Sequence, residues 1–322
     1  MPKSLFERSG AGPHPHPATR SRVLTWVAGW RRGPLPGTKA RLPACFQPGS
    51  RRPRHRASWL GLALLLAAFA PDPARACGPD SDCMVGARSY RIRLPPTGGA
   101  PVGAILLAHG YRDTAANMMA DAEVADAVMG LGVALITPQS DGLSWNLPGQ
   151  PGGRRPGIDD MAFIDAVIAD ATTRFPIDRR RIMASGFSAG GMLVWNLACY
   201  RAGLFAGFAP IAGTFWDPLP EDCPTGPTTI LHAHGTEDPT VPLHGRAIRD
   251  TRQGDVFEVF RRYAAWGHFG APVETRLPGL DCTRRRNADG RVLELCLHPG
   301  GHDLRAADLV RAWRELTAIS RW

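Results

Sequence analysis

The chain has 322 residues, 44% of them hydrophobic and 21% charged, an ordinary globular composition with room for a sizeable core. Its formal net charge of +9 is confined to one end: residues 1–76 hold 13 basic and 2 acidic residues, a net of +11, while the remainder holds 25 and 27, a net of −2. The excess basicity therefore excludes a charge-based nucleic-acid partner for the folded part, for which no nucleic-acid binding is expected.

Residues 1–50 are rich in Arg, Pro and Gly with no apolar period, which predicts disorder or an upstream start-site error. Residues 51–76 carry a basic run (Arg51, Arg52, Arg54, Arg56), an apolar stretch from Trp59 to Ala70, and Ala74-Arg75-Ala76 before Cys77. This pattern predicts a signal peptide cleaved after Ala76, leading to the periplasm or outside the cell. The apolar stretch has 12 residues, well short of the ~20 that span a bilayer, so no stable membrane anchor is expected. Arg75 also argues against a lipoprotein signal ending at Cys77. Residues 77–322 are then expected to form a single catalytic domain.

Cys45 lies in the leader, which leaves six cysteines, and local spacing favours the pairs 77–83, 199–223 and 282–296 in an oxidising compartment. No pair has C-x₂-C spacing, and only Cys296 has a histidine close by, His298, so no metal site is expected.

From Cys77 onward, short apolar runs alternate with longer amphipathic ones. Ser89 to Leu94 alternates as an edge strand does, and VGAILLA (Val102 to Ala108) is a continuous run of the buried parallel kind. A helix is predicted from about Ala116 to Met129, then a strand from Val133 to Thr137. Leu143 to Gly157, with its glycines and prolines, forms a loop long enough to shape a binding site. The spacing predicts a helix over Asp159 to Phe175, its start favoured by Asp159 or Asp160 and its end set by Pro176. There follow strand Arg181 to Gly186, helix Ala189 to Tyr200, strands Phe205 to Ile211 and Thr228 to Ala233, helix Asp255 to Trp266, strand Val292 to Leu297 and helix Ala306 to Ile319. Such alternation implies a mostly parallel central sheet with helices on both faces, an α/β fold with its chemistry at the carboxyl ends of the strands.

The motif Gly186-Phe187-Ser188-Ala189-Gly190 sits between the strand RIMAS and a helix, where a serine on a tight turn needs small neighbours. A hydroxyl is a poor nucleophile until a base removes its proton, so a carboxylate and a histidine should follow in order, each after a later strand. Asp238, in HGTEDP after Thr228 to Ala233, is the favoured acid, with Glu237 as its alternative. His302, in HPGGH after Val292 to Leu297, is the favoured base, with His298 as its alternative. Backbone N–H groups of Ala189 and Tyr111 are the expected oxyanion donors, and His109 is expected to tie down the Tyr111 loop. Trp145, Trp216 and Trp266 are candidates to line an aromatic substrate pocket or to be packing.

The segments LLAHGYRDTAANM, GIDDMAFIDAVIAD, RFPIDRRRIMASGFSAGGMLVWNLAC, FAGFAPIAGT, HAHGTEDPTVPLHG and the closing GGH cover most of residues 88–304. In these the chain resembles the polyhydroxybutyrate-depolymerase and feruloyl-esterase group of secreted serine esterases, of the α/β-hydrolase fold. The resemblance implies cleavage of carboxylic esters through an acyl-serine intermediate without a cofactor, with nucleophile Ser188, acid Asp238 and base His302. Members often follow the histidine with Ser-Trp-Pro, whereas here Asp303-Leu304-Arg305 follows, which alters the rim of the site. The end of the chain after a helix leaves no polymer-binding module, so small-molecule or oligomeric esters are the expected substrates. Two other classes stand beside this reading: a serine peptidase with the same triad, and a noncatalytic binding protein on the same scaffold.

Overall fold

The computed structural model describes residues 77–96 and 98–321. The leader 1–50, the signal peptide 51–76 and Cys45 lie outside the described residues.

In chain order the elements are β1 (Cys83–Val85), β2 (Arg88–Arg93), β3 (Val102–Ala108), α1 (Ala115–Ala120), α2 (Ala122–Gly130), β4 (Ala134–Pro138), α3 (Asp160–Arg174), β5 (Ile177–Phe187), α4 (Ala189–Tyr200), β6 (Gly207–Ile211) and β7 (Ile230–Gly235). The small pair β8 (Ala247–Ile248) and β9 (Thr251–Arg252) precedes α5 (Val256–Trp266), β10 (Val273–Leu277), β11 (Leu280–Arg286), β12 (Val292–His298) and α6 (Ala306–Ser320). Ten strands form one sheet in the order β1-β2-β4-β3-β5-β6-β7-β12-β11-β10. Pairing is parallel from β4 through β12 and antiparallel at both edges.

Every residue of β3 is buried, because a central parallel strand is covered on both faces. Its side chains divide by the two-residue period of a strand. Ala104, Leu106 and Ala108 join the core that holds Phe163, Ile164, Trp195 and Val259 of α3, α4 and α5. Ile105 and Leu107 join the opposite core with Met118, Val124, Leu309 and Trp313 of α1, α2 and α6.

The helix expected over Ala116 to Met129 is two helices. Asp121 stands between them in extended backbone, and its side chain accepts the Val124 N–H at 3.1 Å while its own N–H closes α1 on the Asn117 carbonyl. An aspartate that captures a backbone donor offers the chain a new start in place of continuation. At α3, Asp159 is the cap, accepting the Ala162 N–H at 3.0 Å, and Phe175 leaves the helix in extended backbone ahead of Pro176. Asp160 is buried and does something else: it receives the Asn146 backbone N–H and pairs with Arg88 at 2.6 Å, so it fastens the 143–157 loop to the sheet edge.

The three expected cysteine pairs are disulfides. Cys282 and Cys296 face each other across β11 and β12, in a hairpin extension of the sheet that the charged sequences VETRL and LDCTRRR do not reveal. Glu294 of β12 is buried between Arg284 of β11 and Arg311 of α6, each at 2.5 Å. Glu294→Ala leaves the Arg311 guanidinium without its carboxylate and Arg284 with Glu315 alone, and it is expected to destabilise the protein by about 3 kcal/mol in urea unfolding. A loss under about 1 kcal/mol would show this network to be solvated and idle.

Candidate functional site

The end of β5 and the start of α4 meet at Ser188, which has φ 57° and ψ −119°. A non-glycine residue held there stores roughly 1–3 kcal/mol of strain and must be fixed by its surroundings. The Ser188 N–H donates to the Ile211 carbonyl at 2.9 Å, and Met192 N–H donates back to the Ser188 carbonyl at 3.0 Å. A Cβ on Gly190 would collide with the Ala108 carbonyl, and one on Gly186 with the Gly190 carbonyl. The glycines let the first turn of α4 lie directly on the ends of β3 and β5.

Two further strand ends converge beside it. The turn after β7 and the loop after β12 are joined by backbone hydrogen bonds from Thr236 N–H to the His298 carbonyl (2.8 Å) and from Glu237 N–H to the Gly300 carbonyl (3.0 Å). A Cβ on Gly235 would strike the Gly300 and Gly301 carbonyls. This close approach carries His302 over Asp238, and His302 Nδ1 lies 2.7 Å from Asp238 Oδ2. The carboxylate accepts, so Nδ1 carries the proton and the lone pair is on Nε2. The His302 ring packs on Phe187, the residue before Ser188, with 4.6 Å between centroids. The Ser188 hydroxyl has no hydrogen-bond partner among the described residues, so its link to His302 is one of neighbourhood through Phe187.

Of the alternatives, Glu237 is exposed whereas Asp238 is buried. His298 is buried, with Arg305, Asp308 and Asp303 acting on it, and burial pushes its pKa down. Asp238 Oδ1 accepts the N–H groups of Thr240 and Val241, each at 2.8 Å. Burial pushes the Asp238 carboxyl up, but hydrogen bonds from His234, His302 and the Val241 N–H, with the charge of His302, outweigh it and hold the group well below the usual carboxylate range.

His109 ties its loop down as expected. Its Nε2 accepts the Ser140 N–H at 3.1 Å, which leaves Nδ1–H to donate to the Gly110 carbonyl at 2.8 Å. Burial pushes this imidazole's pKa down. Gly110 lies against Ser188, and the next N–H, of Tyr111, has no acceptor within the described residues; nor does that of Ala189 at the start of α4. An N–H pair flanking a serine can receive a developing oxyanion.

The tryptophans separate. Trp145 is 1% exposed and its indole N–H donates to the His109 carbonyl at 2.9 Å, so it is core that braces the loop and offers a substrate no face, a correction to its candidacy for the pocket. Trp216 is half-buried and bridges to Gln253, and Trp266 packs on Tyr263. The sequence reading missed the exposed side chains of Tyr111 and Leu143, 54% and 58% accessible, which are brought together by the Arg112 N–H to Leu143 carbonyl bond. It also missed His232 and His234, whose only signal is the H-x-H immediately before the Asp238 turn.

The family model for phospholipases and carboxylesterases matches residues 159–253. A putative esterase, NocK, from Nocardia uniformis subsp. tsuyamanensis is 30% identical over 242 residues, covering 67% of this chain and 70% of its own. A probable feruloyl esterase C from Aspergillus niger is 34% identical over 152 residues, 45% of this chain and 50% of its own. An acetyl xylan esterase from Aspergillus awamori superposes with a TM-score of 0.52 at 15% identity, covering 74% of this chain and 96% of that one, a likeness of fold.

Asp238 has a lowered folded pKa, so the stability it contributes is present above the unfolded value of about 3.9 and is lost as pH falls through the lower folded value. Urea unfolding of wild type and Asp238→Asn is therefore expected to differ most at about pH 6 and to differ progressively less as pH falls below about 4 toward the lower folded value. A difference that stays constant over that range would remove the ionised carboxylate from the account.

Proposed function

The chain belongs to the esterase family of the α/β-hydrolase fold, and from that premise we propose that it is a secreted serine carboxylic-ester hydrolase working through an acyl-serine intermediate on small-molecule or oligomeric esters. Residues 77–322 are its catalytic domain. The observation that carries this reading is the 2.7 Å bond from His302 Nδ1 to Asp238 Oδ2, set beside the strained turn at Ser188.

In this reading His302 Nε2 takes the proton of the Ser188 hydroxyl as Oγ attacks the ester carbonyl carbon. The N–H groups of Tyr111 and Ala189 hold the oxyanion, and Asp238 stabilises the imidazolium. The imidazolium then protonates the departing alkoxide, and water, activated by the same imidazole, frees the acid. Three disulfides in the described residues support an oxidising destination. The likeness to feruloyl esterases, the exposed Tyr111 ring and the half-buried Trp216 support esters of aromatic acids among the substrates, with hydroxybutyrate oligomers and short-chain esters beside them.

Turnover of methyl ferulate, hydroxybutyrate oligomers and p-nitrophenyl acetate, butyrate and octanoate tests this. Ser188→Ala is expected to lower kcat/KM by about 10³-fold or more on every ester that is cleaved, with an unchanged unfolding midpoint. A folded variant with wild-type turnover would remove Ser188 as nucleophile. Mass spectrometry of the exported protein is expected to find its N-terminus at Cys77.

A further inference from the structure

Behind Asp238 runs a line of polar groups that the reaction as described does not use. Trp195, on the helix that begins at Ser188, places its indole Nε1 3.2 Å from His232 Nδ1. His232 Nε2 is 2.9 Å from His234 Nδ1. His234 Nε2 is 2.8 Å from the Val241 carbonyl and 3.4 Å from Asp238 Oδ2, the oxygen that receives His302. Trp195, His232 and His234 all have no solvent exposure.

The direction of this line is fixed from both ends. An indole N–H only donates, so His232 Nδ1 must accept and its proton must sit on Nε2. A carbonyl only accepts, so His234 Nε2 must donate and its Nδ1 must accept from His232. The two requirements give the same pair of tautomers. A second proton on either ring would set two donors against each other at a place with no solvent exposure, and burial pushes the His232 imidazole's pKa well down. Two fully buried imidazoles cost more desolvation than apolar side chains of similar size, and full satisfaction of their hydrogen bonds is what makes such a network rigid.

We infer that His234 is a positioning residue for the acid of the triad: Trp195 and His232 orient its Nε2–H onto the Val241 carbonyl, with Asp238 Oδ2 3.4 Å from the same nitrogen, so that the Val241 segment and the carboxylate it holds stay in line with His302 Nδ1. Because every donor points the same way and the line ends on the Val241 carbonyl, it is a clamp and moves no proton. Val241 takes part twice, its N–H on Asp238 Oδ1 and its carbonyl on His234, which locks the carboxylate and the imidazole to one segment of backbone. The inference rests on the assignment of Ser188, His302 and Asp238 given above.

The test compares His234→Phe, His234→Gln and Trp195→Phe in the full-length exported protein, with p-nitrophenyl acetate as substrate. His234→Phe removes the donor, and a misplaced catalytic group costs on the order of 10- to 100-fold, so kcat is expected to fall by about that factor with KM within about threefold of wild type. A poorly aligned carboxylate stabilises the His302 imidazolium less, so the acid limb of kcat/KM is expected to move to lower pH. His234→Gln, whose amide can accept from His232 and donate to Asp238, is expected to restore most of kcat and the position of the limb. Trp195→Phe removes one of the two groups that fix the direction of the line, leaving the Val241 carbonyl to fix the other end, and it is expected to show the same changes in smaller measure; it serves if His234→Phe does not fold. Among the other ionisable groups near this end, His298 is acted on by Arg305, Asp308 and Asp303, which stay in place in every variant, and least by His234 itself, which Trp195→Phe retains. An unchanged kcat in folded His234→Phe overturns the inference, and so does a lower kcat with a limb that is unmoved or moved to higher pH. If the triad assignment itself is wrong, Ser188→Ala and Asp238→Asn keep their turnover; if only the clamp is wrong, those two lose it and His234→Phe does not.

Discussion

The site depends on one backbone constraint, the left-handed conformation of Ser188 between β5 and α4. Nothing in the residue itself favours it, so the neighbours must impose it. They do so by contact: the helix start rests on the carbonyls of β3, which only glycine at position 190 permits, and the Ser188 N–H is taken by Ile211 at the end of β6. Three adjacent parallel strands thus end at one point because the turn could not close otherwise. The first N–H groups of α4 have no helical partner, and a helix start of this kind favours negative charge beside it.

Electrostatics then follows from depth. Asp238 is buried and would resist ionisation on that account alone, yet both its oxygens are saturated: two backbone N–H groups on one, His302 and the more distant His234 on the other. A carboxylate so held keeps its charge and its orientation together, which is what an imidazole needs behind it while it carries a second proton. His302 is only partly exposed and rests on Phe187, so its ring has an apolar floor on one side and an anion at Nδ1. Burial therefore serves two ends here, fixing geometry and strengthening the one charge contact that the chemistry uses.

Much of this was legible in the sequence where burial leaves a mark. Strands covered on both faces read as apolar runs, and VGAILLA was placed to the residue; the glycine-flanked serine stood out because its strand and helix were both evident. Order along the chain narrowed the carboxylate to Glu237 or Asp238 and the histidine to His298 or His302. Local pattern favoured Asp238 and His302 within each pair; the burial of Asp238 against the exposed Glu237, and the crossing of two loops that brings His302 to it, are what no local pattern encodes. The β10–β11 hairpin was hidden for the opposite reason: its faces are charged and solvated, and it exists because β12 and a cross-strand disulfide hold it. His232 and His234 were hidden because an alternating H-x-H within a strand shows only that two side chains share a face. What they bond to belongs to α4 and to the turn beyond β7.

In the proposed reading, catalytic and recognition elements occupy different levels of the fold. Ser188 and Asp238 follow the ends of β5 and β7, and His232 and His234 lie within β7 itself. Tyr111 and Leu143 belong to two loops pinned below by His109, Trp145 and Ser140, while their own side chains stand in solvent. Tyr111 thus offers a backbone N–H to the reacting centre and an aromatic ring to whatever lies above it. The backbone role is independent of the side chain, so the ring can change without disturbing the donor. Asp303 after His302 is likewise exposed and lies past the last backbone contact that fixes the histidine loop, whereas Leu304 packs against the core of α1, α2 and α6. Ester selectivity can therefore drift at this rim while the strained turn, the buried acid and the line of donors behind it stay fixed.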